Sequence, residues 1–302
     1  MSSGDRERPP KVLVIYKKST WEVYRRGGRK EHLDQLVAKG DPGMAEVVQA
    51  HEDHVTTVED ARRVLKRLGA KAVFRHRWND GDVKGYDLVV TLGGDGTLLW
   101  ASHVVGEDTP VLGINSAPRA SVGYFCAGDK HGLEETLSAA LEGRLAATRL
   151  TRMQVDVDDH PVDTRVLNDI LFAHVCPAIA SRYVLRHRDV EEEQRSSGIW
   201  VGPAAGSTAA QRSAGGKVLP LTSDQLQFVV REPYYGMGDP YRLEQGLVEP
   251  GESLFVRSRM RDARIYFDGA HRTANVDFGR QIRLTRSPEP LTLLGLRPDA
   301  HR

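Results

Sequence analysis

The chain has 302 residues, 40% of them hydrophobic, and its 42 basic and 41 acidic side chains leave a formal net charge of +1. That length supports two domains with sizeable cores, and the balanced charge gives no global electrostatic reason to expect nucleic acid or an anionic membrane as partner. Cys126 and Cys176, far apart in the chain, supply neither a disulfide framework nor a Cys-x-x-Cys metal knuckle, and no apolar run reaches the roughly 18 to 20 residues that span a bilayer. Met1 to Pro10 lacks a hydrophobic signal core and is expected to be a disordered N-terminus, so a cytoplasmic protein is the expectation.

Residues 11–145 read as an α/β domain. Lys11-Val-Leu-Val-Ile-Tyr16 is a fully buried strand, and the spacing of Val58, Ala61, Val64, Leu65 and Leu68 predicts a helix that starts at a capping box, Thr56-x-x-Glu59, and ends before Gly69. Strands follow at Ala72–His76, Leu88–Thr91 and Pro110–Asn115, with helices over Leu98–Val105 and His131–Glu142. Strands alternating with helices imply right-handed crossovers and a parallel, Rossmann-like sheet, whose ligands gather at the carboxyl ends of the strands.

At one such end lies Gly93-Gly94-Asp95-Gly96-Thr97, between a strand and a helix. Its glycines permit φ > 0 and the close approach of a ligand, and its N–H groups, aided by the helix dipole, can converge on a phosphate. A carboxylate inside such a cradle repels phosphate unless it takes a proton or orients a hydroxyl, which is what phosphoryl transfer to an alcohol requires. Asp-Gly is equally the signature of a plain hairpin turn, so the motif alone leaves both readings open.

After Gly143 the texture changes to short alternating runs: Met153–Val157, Arg165–Phe172, Arg182–Leu185, Leu226–Val230 and Arg264–Phe267. Residues 146–285 are therefore expected to form an antiparallel, sandwich-like all-β domain, and 286–302 a C-terminal segment returning to the first domain. The acidic run Glu191-Glu-Glu-Gln194 is expected at a solvated hairpin tip. None of the eleven histidines forms a recognisable triad or His-x-x-x-His pair, and none is given a role.

A second glycine-rich stretch, Ser196-Ser-Gly-Ile-Trp-Val-Gly-Pro-Ala-Ala-Gly-Ser-Thr-Ala-Ala210, is followed by Ser213-Ala-Gly-Gly216. Together with Gly93–Thr97, Asn168-Asp169, Val111–Asn115, Gly123-Tyr-Phe125 and Phe267-Asp-Gly269, it makes the chain resemble the NAD kinase family over about residues 11 to 296. Lys17-Lys18, the His54-to-Leu65 helix, Ser181-Arg-Tyr183, Ser196-Ser-Gly198 and Val230-Arg-Glu-Pro233 look most similar to the mitochondrial-type branch.

The resemblance implies transfer of the terminal phosphate of ATP to the 2′-hydroxyl of the adenosine ribose of NAD, with Asp95 as general base or hydroxyl anchor. It implies that Gly93, Gly94, Gly96 and Thr97 meet phosphate, with Mg²⁺ carried on the nucleotide; no carboxylate cluster suggests a protein metal site, and Lys17, leaving the first strand on the ligand side, reads either as a phosphate contact or as a solvated surface lysine. Tyr124 would stack on adenine, Asn168 and Asp169 would bind ribose or adenine edges, and Gly206, Ser207, Thr208, Ala209 and Ser213 would serve the NAD diphosphate or ribose. A homo-oligomer, dimer or tetramer, is also implied. Asp169 stands where Glu is usual, Ser197 where Asp is usual, Ala210 where Tyr is usual and Ala270 where Gln is frequent. A lipid or sugar kinase with the same Gly-Gly-Asp-Gly turn, and a catalytically idle NAD(P) sensor, are the alternatives.

Overall fold

The computed structural model describes residues 8–28, 30–76, 83–236 and 240–296. Residues 1–7 of the expected disordered N-terminus and 297–302 of the C-terminal segment lie outside the described residues. The chain divides into two compact units, residues 1–148 with 292–302, and 149–291.

The first unit runs β1 (Lys11–Tyr16), α1 (Thr20–Arg26), α2 (Lys30–Ala38), α3 (Pro42–Arg67), β2 (Lys71–His76), β3 (Leu88–Gly93), α4 (Asp95–Ser102), β4 (Val111–Asn115), β5 (Gly128–Asp129), α5 (Leu133–Leu141) and β6 (Ala147–Leu150). Its sheet has the order β2-β1-β3-β4, continued by a C-terminal strand Leu291–Leu294 and then β6, with β5 also on β4. β1 to β5 pair in parallel. β3 and β4 are buried along their whole length, as strands of a sheet covered on both faces must be. Val58, Ala61, Val64 and Leu65 of α3 pack with Val12, Val14, Val90, Leu112 and Ile114.

Two expectations for this unit need correction. The segment Thr56–Glu59 lies inside a 26-residue helix, not at a helix start. α3 begins at Asp41, whose side chain accepts from Met44 N at 3.0 Å, with Pro42 in the first helical turn. Thr57, the residue after the expected cap Thr56, donates its hydroxyl to Asp53 O at 2.6 Å one turn back. Arg8, within the stretch expected to be disordered, forms a bidentate pair with Asp87 at 2.9 and 2.7 Å.

The second unit is built from β7 (Met153–Val157), β8 (His160–Val166), β9 (Ile170–His174), β10 (Ser181–His187), β11 (Val190–Ser196), β12 (Ile199–Pro203), β13 (Leu226–Val230), β14 (Gln245–Val248), β15 (Leu254–Ser258), β16 (Ala263–Phe267), β17 (Arg272–Asn275) and β18 (Gln281–Arg286), with a 3₁₀ turn at Ala204–Thr208 and one helical turn, α6 (Ala210–Ser213). Two antiparallel six-stranded sheets, β11-β10-β15-β18-β7-β8 and β14-β13-β12-β9-β16-β17, share one core in which Val155, Tyr183 and Leu284 of one sheet meet Phe172, Phe228 and Ile265 of the other. That is the sandwich expected from the alternating runs.

The acidic run is a further correction. Glu191 to Gln194 lie within β11 and pair with Tyr183 to Arg186 of β10, while the turn itself is at Arg188–Asp189. Gln194 is fully buried, and Glu192 accepts the backbone N–H groups of Arg242 and Leu243 at 3.1 and 2.8 Å. The run alternates because one face of an edge strand is solvated and the other covers the core.

Candidate active site

In the first unit the strand exits of the parallel sheet carry the candidate groups. β3 leads straight into α4, so Gly94 is the N-cap and Asp95 the first helical residue. Gly93, Gly94 and Gly96 all avoid the left-handed backbone; the φ > 0 expected of them is not used. The glycines at 93 and 94 are needed for space, since a Cβ would run into the Thr97 hydroxyl in one case and the Ser121 hydroxyl in the other. Thr97 is buried and its N–H donates to Gly94 O at 3.0 Å, closing the first turn of the helix.

Asp95 is fixed from a distance in sequence. One carboxylate oxygen accepts Tyr124 N–H at 3.0 Å and the other accepts Phe125 N–H at 2.9 Å. The loop after β4 makes this possible: Asn115 donates to Ser121 O at 2.8 Å and accepts Ala117 N–H at 3.2 Å, curling residues 116–125 back over Gly93–Asp95. Gly123 sits in the left-handed region at φ +68, against the Asn115 amide, where a Cβ has no room. The carboxylate is thereby held rigid, with lone pairs left for a substrate hydroxyl. Tyr124 is half-buried, its ring edge-on to Phe125.

Lys17, at the exit of β1, is half-buried, and burial lowers its pKa. Among the described residues its ammonium has no partner. A desolvated, unpaired cation is costly unless an anion completes it. Its backbone carbonyl is bound by His54 of α3: His54 Nε2 lies 2.8 Å from Lys17 O and Nδ1 lies 2.8 Å from Ser116 Oγ. Sequence reading gave His54 no role. The available signal was a titratable residue on the buried stripe His54, Val58, Ala61, Leu65.

In the second unit, Asn168 and Asp169 occupy a break between β8 and β9, where one continuous run from Arg165 to Phe172 was expected. Asp268 holds this break: its Oδ1 accepts Asn168 N–H at 2.7 Å and Asp169 N–H at 3.0 Å, and its Oδ2 accepts Leu167 N–H at 3.0 Å. Asp268 itself has φ +47 and donates its N–H to Asp169 O at 2.9 Å. Asp169 is buried, and burial, with Asp268 beside it, pushes its carboxyl up to about 7. The half-buried Asn168 donates to Asp169 Oδ2 at 3.3 Å.

Gly206 lies against the Asn168 carbonyl so closely that a Cβ there would overlap it. Ser207 is fully buried, its hydroxyl donating to Ala204 O at 2.7 Å and accepting Leu219 N–H at 2.9 Å, so it shapes the turn. Thr208 and Ala209 are half-buried and Ser213 is exposed. The expected helix after Gly206 is only the 3₁₀ turn and α6. Gln211, buried beneath the turn, points its amide at Asn168 O from 3.5 Å.

A glycine turn at a helix N-terminus, an anchored carboxylate inside it and an unpaired lysine at the neighbouring strand exit are groups of the kind that phosphoryl transfer to an alcohol uses. Residues 41–145 match the family model for the ATP-NAD kinase N-terminal domain. A probable NADH kinase of Oryza sativa subsp. japonica is 36% identical over 255 residues, 77% of this chain and 78% of that protein. The mitochondrial NAD kinase 2 of Homo sapiens is 25% identical over 275 residues, 74% of this chain and 62% of that protein. In fold, the chain is similar to an NAD kinase from Archaeoglobus fulgidus solved in complex with ATP, with a TM-score of 0.67, 22% identity and coverage of 96% of this chain and 94% of that one. The chain belongs to the NAD kinase family, enzymes that phosphorylate NAD to NADP.

Proposed function

We propose that this protein transfers the terminal phosphate of ATP to the 2′-hydroxyl of the adenosine ribose, with NADH accepted as well as NAD. The observation that carries the reading is the Asp95 carboxylate, held by Tyr124 and Phe125 N–H groups at the mouth of the Gly93–Thr97 turn. The 2′-oxygen forms a bond to the γ-phosphorus, the bond from that phosphorus to the β,γ-bridging oxygen breaks, and ADP leaves. Asp95 accepts the hydroxyl proton or orients the hydroxyl for attack. In the first unit Gly93, Gly94, Gly96, Thr97 and Lys17 hold phosphate oxygens and Tyr124 stacks on adenine; in the second unit Asn168, Asp169, Gly206, Thr208, Ala209 and Ser213 bind the dinucleotide, while Ser207 shapes the turn that presents them. Most of the rate comes from alignment and charge neutralisation.

Mg²⁺ arrives on the nucleotide and neutralises charge across its phosphates. Among the described residues no group of three or more His, Cys, Asp or Glu is placed to hold a metal. NADH acceptance is supported by the naming of the rice relative as a probable NADH kinase, and ATP as donor by the nucleotide bound to the archaeal neighbour. Assembly as a homo-oligomer through the second unit is supported by exposed Val218, Tyr234, Tyr235 and Phe278. The free cysteines Cys126 and Cys176 support a reducing, cytoplasmic setting.

The test is phosphorylation of NAD and of NADH, measured separately with ATP and Mg²⁺. Formation of NADP and NADPH is expected. A protein that phosphorylates neither, yet uses a lipid or sugar alcohol, belongs to the alternative reading.

A further inference from the structure

In the sheet order β2-β1-β3-β4, strand β3, which delivers the phosphate turn, lies between β1 and β4. The residues that follow its two neighbours are Lys17 and Ser116, and one buried imidazole, 2% exposed, binds both. A carbonyl oxygen only accepts, so His54 Nε2 carries the proton donated to Lys17 O. The neutral ring then accepts the Ser116 hydroxyl at Nδ1. Ser116 in turn donates its backbone N–H to Gly93 O at 3.2 Å. One chain of hydrogen bonds thus runs from the backbone of the unpaired lysine to the first glycine of the turn. Thr57, one turn further along α3, lies 3.4 Å from Ser116 O but gives its proton to the nearer Asp53 O, so the imidazole carries the link alone.

We propose that His54 is a positioning residue for the phosphoryl donor, setting Lys17 against the Gly93–Thr97 turn so that both meet one triphosphate. The inference rests on the phosphate-site reading above. Burial lowers the His54 pKa, in keeping with a neutral ring acting as donor at one nitrogen and acceptor at the other. Among the described residues the two strand exits share no bond through Lys17 except by way of His54, so without the imidazole the lysine backbone loses its tie to Ser116, while Tyr16 still pairs with Leu92 in the sheet below.

The experiment is a double-mutant cycle on ATP binding, read by calorimetry with Mg²⁺ and no NAD. His54→Ala is expected to weaken ATP about ten- to hundredfold, the range for removing a buried partner from polar groups. His54→Gln, whose amide N–H reaches Lys17 O, is expected to recover most of that loss. Lys17→Met is expected to weaken ATP by itself and to make a following His54→Ala nearly silent, because His54 acts through Lys17. Ser116→Ala, which leaves the imidazole in place, is expected to weaken ATP several-fold and to couple to Lys17→Met in the same sense. Additive losses in the cycle, or unchanged ATP affinity in a folded His54→Ala protein, overturn the proposal. Because the cycle reads ATP alone, a wild-type protein that failed to phosphorylate NAD or NADH would refute the proposed reaction while leaving this coupling measurable.

Discussion

Asp268 reaches across 100 residues of sequence to accept the backbone N–H of Asn168 at 2.7 Å, and the same carboxylate takes the N–H groups of Leu167 and Asp169. Three successive N–H groups form a concavity of the kind that binds anions. Here the protein's own carboxylate fills it, so Asp268 defines the shape of the Asn168-Asp169 dipeptide and has few lone pairs left for a ligand.

Asp268→Asn keeps the size of the side chain but removes its charge and turns one acceptor into a donor facing N–H groups. The substitution is expected to cost about 1–3 kcal/mol of stability, the penalty for leaving a buried donor unsatisfied. It is also expected to raise KM for NAD or NADH about tenfold, near 1.4 kcal/mol of lost binding, with ATP affinity unchanged. Thermal unfolding and steady-state kinetics check both; an unchanged KM would detach Asp268 from the dinucleotide site.

Asp169 makes stability depend on pH. Its folded pKa, about 7, lies above that of an ordinary carboxyl because of burial and then Asp268. Between the ordinary carboxylate range and about 7, the unfolded chain has released a proton that folded Asp169 keeps. The unfolded state binds fewer protons, so stability falls as pH rises through that window and levels off above it. Asp169→Asn is expected to melt a few degrees higher than wild type near pH 8, with the difference vanishing near pH 4. Parallel pH–melting curves for the two proteins would overturn the assignment.

Where neighbouring residues decide structure, the sequence could be read directly. The buried runs Lys11–Tyr16 and Val111–Asn115 and the leucine spacing of Leu133, Leu137 and Leu141 gave their elements correctly. The start of α3 was misread although Asp41-Pro42 is a good helix opening and Met44, Val47 and Val48 recur at helical spacing, because its first turns bury only Met44 and the densely buried face begins at Asp53. The break at Leu167–Asp169 is imposed by Asp268 from a distant strand, and no local pattern encodes it. Gly93–Thr97 was legible as a strand-to-helix turn that sets a carboxylate at a helix start. That Ser207 is consumed by Ala204 and Leu219, and that His54 ties Lys17 to Ser116, emerges only from packing between elements remote in sequence.

Gly206 tests how closely the second glycine stretch must approach the dipeptide. A Cβ at 206 would overlap the carbonyl of Asn168, and the obstacle is backbone that cannot rotate aside. Gly206→Ala is expected to displace Asn168 and to destabilise the protein by about 1–3 kcal/mol, as overpacking does. A raised KM for NAD or NADH should accompany it. Gly96→Ala is the control, since nothing lies within 4 Å of a Cβ there, and its melting temperature is expected to stay close to that of the wild type.

Asp95→Asn separates chemistry from architecture in the phosphate turn. The amide oxygen can still accept one of the two N–H groups of Tyr124 and Phe125 that the carboxylate holds, so the loop after β4 should stay near its place. What disappears is the carboxylate proposed to take the ribose proton or orient the hydroxyl. The expected result is a fall in kcat of about 10²–10⁴, the usual contribution of a positioned acid–base group, with ATP affinity within a few-fold and melting within a few degrees of wild type. Retained kcat would make Asp95 a loop anchor only, whereas loss of ATP binding in step with kcat would assign it to holding the turn.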